Sequence, residues 1–153
     1  MFIFLVVLLI VVVIGSVLVL MLKPDHVPET ERTAEAVKFR FDHWLPKLIR
    51  MGSITIGHTI FTKYLQSEIR PWTDRGWRNH LRHEFHHVDQ YESRGMVDYI
   101  LGYIGLSIGA AIRDRKWSSL YQRNQMELDA VANEGKPFTD RQHRIVERYW
   151  PLK

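Results

Sequence analysis

The pattern of apolar and polar positions divides the chain at its first charge. Residues 2–22 are apolar apart from Gly15 and Ser16 and contain no charged side chain. A helix of roughly 20 such residues covers a hydrocarbon layer of about 30 Å, so the run predicts a transmembrane helix. A cleavable signal peptide would have a charged leading region, a shorter apolar run and a small-x-small cleavage site. Here Met1 leads directly into Phe2, and Lys23-Pro24-Asp25 follows Leu22. The expectation is an uncleaved, single-pass anchor over residues 1–22, a linker over 23–33 built around Pro24 and Pro28, and a domain over 34–153.

Within the domain the apolar runs are shorter. Ala36, Val37, Phe39, Phe41, Trp44 and Leu45 fit a helix that ends at Pro46, although Phe39 and Phe41 also alternate as in a strand. Residues 53–62 are rich in β-branched side chains, with Ile54, Ile56 and Ile60 on one parity. They predict a strand, in which Gly57 marks a bulge or a close backbone approach. Thr73 or Asp74 can cap a helix that runs to about Ser93, with Gly95 as its stop. Trp77, Leu81, Phe85 and Val88 form the apolar stripe of that helix. Residues 96–112 are almost wholly apolar, with Gly102, Gly105 and Gly109 spaced for close helix packing. Their uncharged part, 99–112, is shorter than the roughly 20 residues of a second span, so a buried or membrane-apposed helix is expected. A helix over 117–133 is ended by Gly135-Lys136-Pro137, and Thr139 or Asp140 caps a last helix to about Tyr149.

A length of 153 residues suits one domain beyond the anchor. All the charge, a formal net +4, falls outside residues 2–22, and basic and acidic residues alternate as on a solvated surface. Lys23, Arg32, Lys38 and Arg40 follow the anchor and tilt the expected orientation towards a cytoplasmic domain. The absence of cysteine excludes disulfides and thiolate ligands. No nucleic-acid motif is present, and the arginines are not interleaved with aromatics as a stacking platform would require.

The chemistry concentrates in His83-Glu84-Phe85-His86-His87. On a helix, positions four apart lie about 40° from one another around the axis. His83 and His87 can therefore offer two imidazole nitrogens to one ion, with Glu84 at the edge of the same face. In metallopeptidases with this motif that glutamate takes a proton from the attacking water. A hydrolytic zinc site needs a third protein ligand. Downstream, Asn124-Gln125-Met126-Glu127-Leu128-Asp129-Ala130 offers Glu127 and Asp129, of which Glu127 is the better choice. His80 and His86 crowd the same helix; His80 could line a cleft, whereas His86 points about 100° away from His87.

At these residues the chain resembles the gluzincins, thermolysin-like zinc metallopeptidases in which HExxH is completed by a glutamate on a later helix. It is similar to small bacterial zincin-like domains with a His-Glu-x-x-His-Val-x-Gln stretch, here residues 83–90, and a later Asn-x-x-Glu-x-x-Ala, here residues 124–130. The resemblance implies zinc held by His83, His87 and Glu127, Glu84 as general base, and a peptide or protein substrate. It also implies an α+β fold, mainly helical, with a small antiparallel sheet whose edge strand, residues 54–62, pairs with an extended peptide. The place from which an aspartate would support a ligand histidine in thermolysin holds Val131. Tyr91, Tyr121, His58 and His143 are the candidates for stabilising the transition state. The alternative expectation is a catalytically silent zincin-like module tethered to the membrane.

Overall fold

Phe39 shows why the first element is a strand. It is buried between two exposed neighbours, Lys38 and Arg40, an alternation that only an extended chain produces. The computed structural model describes residues 32–115 and 123–152. The expected anchor and nearly all of the linker lie outside the described residues, as does 116–122.

The fold is α+β, with four helices and one small sheet among the described residues. Strand β1 is Lys38–Arg40, helix α1 Trp44–Leu48, strand β2 Ser53–Ile56 and strand β3 Thr59–Thr62; a 3₁₀ turn follows at Gln66–Glu68. Helix α2 is Arg75–Asp114, α3 Gln125–Asn133 and α4 Asp140–Tyr149. The expected helix from Ala36 to Pro46 is thus replaced by β1, a turn at Asp42, whose φ is 50°, and the start of α1. Pro46 does not end a helix but sits in the first turn of α1, where its missing N–H breaks no helical bond. His43 caps that turn, its Nδ1 accepting from the Leu45 amide at 3.3 Å.

The single strand expected over 53–62 is a hairpin. Gly57, at φ 60°, makes the turn, a left-handed conformation that costs glycine nothing. β3 lies at the centre of the sheet, in the order β1-β3-β2. It pairs antiparallel with β2, Ile54 opposite Phe61, and parallel with β1, Phe39 opposite Ile60. The sheet is therefore mixed rather than antiparallel, and its edge on the α2 side is Ser53–Ile56 alone.

Helix α2 starts where expected, with Asp74 accepting from the Gly76 and Trp77 amides. Gly95 interrupts it as expected, with φ 79° and ψ 165°, a backbone region essentially confined to glycine, and a second helical arm continues beyond the bend. The first arm buries Leu81, Phe85 and Val88 against Val37, Phe39 and Ile60 of the sheet side and Ile145 and Val146 of α4. Aromatic edges seal the far end, where Phe39 meets Tyr149 and Trp150 at ring separations of 4.9 and 5.3 Å. The second arm, residues 96–114, packs on α3 with only one side. Of its glycines, Gly102 faces Met126, whereas a Cβ on Gly105 or Gly109 would meet nothing within 4 Å. Among the described residues the packing role expected of the last two is not found.

Helix α3 begins at Gln125, after the non-helical Asn124; the part of the expected helix over 117–122 lies outside the described residues. Asn124 caps it, Oδ1 accepting from the Met126 amide at 2.8 Å, while Nδ2 donates to Tyr103 O and Ser107 Oγ at 3.0 and 2.7 Å. One buried side chain thereby starts α3 and ties it to the second arm of α2. Helix α4 is capped by Thr139 through a capping box with Gln142.

Candidate metal centre

The first arm of α2 places His83 and His87 on one face, one turn apart, and the cap at Asn124 sets the register that turns Glu127 towards them. The three donors converge. His83 Nε2 and His87 Nε2 lie 3.2 Å apart, His83 Nε2 is 3.2 Å from Glu127 Oε2, and His87 Nε2 is 3.4 Å from Glu127 Oε1. All three side chains are buried, and together they form a group able to hold a metal ion. Asp129, the other downstream carboxylate, is turned away and accepts from Gln125 at 2.8 Å.

Each ligand is aimed by a further residue. His83 Nδ1 lies 3.0 Å from Glu134 Oε1, and His87 Nδ1 lies 2.9 Å from Gln90 Oε1. The Gln90 amide is itself oriented by donating to Met126 O at 3.0 Å. With an acceptor at each Nδ1, the neutral rings carry their proton there and turn the Nε2 lone pairs inward. Tyr103 donates to Glu127 Oε1 at 2.6 Å; Glu127 Oε2 is buried, faces His83 Nε2 and has no other partner among the described residues. Two imidazole lone pairs and an anionic oxygen therefore face one point, an arrangement that repels itself unless a cation or a proton sits between them.

The titration behaviour follows. Burial alone would lower the His83 pKa, but the Glu127 carboxylate, with Glu84 and Glu134, raises it. Burial alone would raise the Glu127 carboxyl, yet His83, His87 and Tyr103 hold it well below the usual carboxylate range.

Glu84 is buried beside the triad, its Oε2 accepting from Thr55 Oγ1 of β2 at 2.7 Å. The carboxylate stands where two lobes of one cleft meet. An apolar lobe of about 240 Å³ runs between β2 and the second arm of α2, walled by Ile54, Ile56, Tyr99, Ile100 and Ile104. The other lobe, about 550 Å³, is walled by Arg50, Ser53, His80, Val131 and Glu134.

Comparison with protein-family models, with curated proteins and with solved structures finds nothing that matches this chain. The site must therefore be read from its own atoms.

Of the residues singled out from sequence, His83, His87, Glu127 and Glu84 come together. His80 lines the polar lobe, bonded to Ser53 Oγ at 2.8 Å, and burial lowers its pKa. His86 lines neither lobe. His58 and Tyr91 pack on each other away from the cleft, where His58 Nε2 meets Glu92 at 2.8 Å. His143 stacks on Trp72, and Tyr121 lies outside the described residues. Sequence reasoning missed Tyr99, Tyr103, Gln90 and Glu134. Three of them had a signal: Tyr99 and Tyr103 are one helical turn apart, and Glu134 is seven residues after Glu127, on the same helix face.

Proposed function

We propose that this chain is a zinc-dependent metallopeptidase, tethered to the membrane through residues 1–22, that hydrolyses peptide bonds with Glu84 as general base. The observation that carries the reading is the spacing of the three buried donors beside Glu84. Ligands at about 2.0–2.1 Å from a tetrahedral zinc stand about 3.3 Å from one another, and the three separations here are 3.2, 3.2 and 3.4 Å. Two imidazoles and one carboxylate also suit zinc and leave a fourth position open.

Zinc supplies an acidified water and a Lewis acid for the scissile carbonyl. The chain's own residues do the rest. Thr55 orients the Glu84 carboxylate, which takes the water's proton and returns it to the leaving amine. The outer edge of β2, free of a neighbouring strand among the described residues, offers backbone groups to an extended peptide lying along the cleft.

A second reading, a catalytically silent module that binds metal and peptide without turnover, is favoured by one feature. Both tyrosines that line the apolar lobe spend their hydroxyls on the protein, Tyr103 on Glu127 and Tyr99 on Thr55 O at 3.5 Å. Metal content and peptide hydrolysis separate the two. The peptidase binds about one zinc per chain, and Glu84→Gln keeps that zinc while losing about 10²–10⁴-fold in turnover. Wild type with zinc and no hydrolysis leaves the silent module. Unchanged metal content in His83→Ala, His87→Ala and Glu127→Ala eliminates both.

A further inference from the structure

We infer that the mouth of the cleft lies against a lipid bilayer, so that the site takes peptide segments held at the bilayer surface. The choice of a peptide rests on the peptidase reading; the bilayer contact does not.

The rim of the apolar lobe is apolar on both sides and unusually bare. Ile49 and Ile56 line the lobe, yet remain 48% and 43% exposed. Opposite them the second arm of α2 turns Ile100 and Ile104 into the lobe and leaves Leu101, Leu106 and Ile112 exposed. Beside the rim, α1 presents Trp44 and Leu48 at 63% and 70% exposure. Two elements separate in sequence thus place large apolar side chains around one opening. Exposed cations accompany them: Lys47 and Arg50 near the end of α1, Arg113 and Arg115 at the end of the second arm. Apolar side chains with flanking Lys and Arg are the composition of a surface that lies in the headgroup region. Helix α4, by comparison, exposes the charged Asp140, Arg144, Glu147 and Arg148.

The chain enters the fold between the bend and α4, where Arg141 donates to Thr33 O at 3.2 Å. Arg32 donates to Glu92 O at 3.1 Å, three residues before the bend at Gly95. Residues 23–31 separate it from the uncharged apolar run at 2–22. A stretch of that length spans at most about 30 Å, so an anchored run keeps the second arm close to the bilayer. Apposition, rather than a second span, follows from the arm's polar side: Tyr99, Tyr103 and Ser107 bond to β2, Glu127 and Asn124 and cannot face lipid.

The chain has no cysteine, so single cysteines report position without background. The full chain is reconstituted in phosphatidylcholine–phosphatidylglycerol vesicles as Leu48→Cys, Leu106→Cys, Ile112→Cys and Glu147→Cys, each labelled with an environment-sensitive fluorophore. Lipid-borne nitroxide is expected to quench the labels at 48, 106 and 112 several-fold more than the label at 147, with aqueous iodide giving the reverse order. Labels at 48, 106 and 112 as open to iodide as that at 147 overturn the inference. So does protection from both quenchers with self-quenching between labels, which would mean that a second copy covers the face. A peptide carried on a lipid anchor is expected to be cleaved faster than the same peptide free in solution. Zinc-dependent cleavage with iodide-accessible labels removes this inference and keeps the peptidase; nitroxide-quenched labels on a chain that binds no zinc do the opposite.

Discussion

The Tyr103 hydroxyl donates to Glu127 Oε1 at 2.6 Å, and this one bond ties the second arm of a bent helix to the third donor of the candidate metal centre. It holds the carboxylate turned towards His83 and His87 rather than free to rotate. Tyr103→Phe keeps the ring and removes the bond. Metal affinity is expected to fall about 10-fold or more, as for other groups that orient a ligand. Competition with a chromophoric chelator measures it.

Glu134 acts on His83 from the opposite side of the ring, at 3.0 Å from Nδ1. Glu134→Ala removes the acceptor that keeps the proton on Nδ1 and the lone pair on Nε2. The expected result is a loss in metal affinity of about 10–100-fold, while Val131→Ala, a neighbour exposed on the polar lobe, leaves it unchanged. Equal losses in the two variants would mean that α3 itself had been disturbed.

The raised pKa of His83 makes opposite pH trends in the two states of the protein. Without metal, a histidine held above its ordinary value of about 6.5 adds stability below that value, and loses it as the pH rises through its folded value. Zinc requires the neutral ring, so zinc binding weakens as the pH falls through the same range. Between about pH 6 and about pH 8, the melting temperature of the metal-free chain should decline from this cause, while the increase produced by saturating zinc should grow. In His83→Asn the first trend should flatten.

Asn124 is fully buried, caps α3 and bonds twice to the second arm of α2. Asn124→Ala removes a helix cap and leaves Tyr103 O and Ser107 Oγ without their donor. The expected cost is about 2–4 kcal/mol, read from denaturant unfolding, with weaker metal binding because the register of Glu127 is lost. Asn124→Asp preserves the cap but not the two donated bonds and should fall in between.

The reach of sequence reasoning differed between local and non-local features. His83, His87 and Glu84 were legible because one helical turn relates them, and Leu81, Phe85 and Val88 because a stripe needs only periodicity. The caps at Asp74 and Thr139 were each legible as one of two adjacent candidates, since a cap is completed within three residues. Glu127 came from its setting in the Asn124 stretch. Phe39, by contrast, is decided as a strand residue by β3 beside it; alone, Ala36 to Leu45 fit a helix and a strand alternation at once. The hairpin at Gly57 hid inside one β-branched run because a tight turn needs little more than a glycine. Tyr103 and Glu134 had only a periodicity to mark them and nothing local to assign them to the site, since the first lies across a bend and the second across a helix pair.

The bend at Gly95 sets a distance. His87 is eight residues before it and Tyr103 eight after it; in a straight helix, at 1.5 Å per residue, their backbones would stand about 24 Å apart. Their rings are 6.4 Å apart. A single residue with no side chain thus folds a rod back upon itself and closes one wall of the cleft over the metal face. Substituting it with any residue that resists φ 79° would separate Tyr103 from Glu127 without touching either.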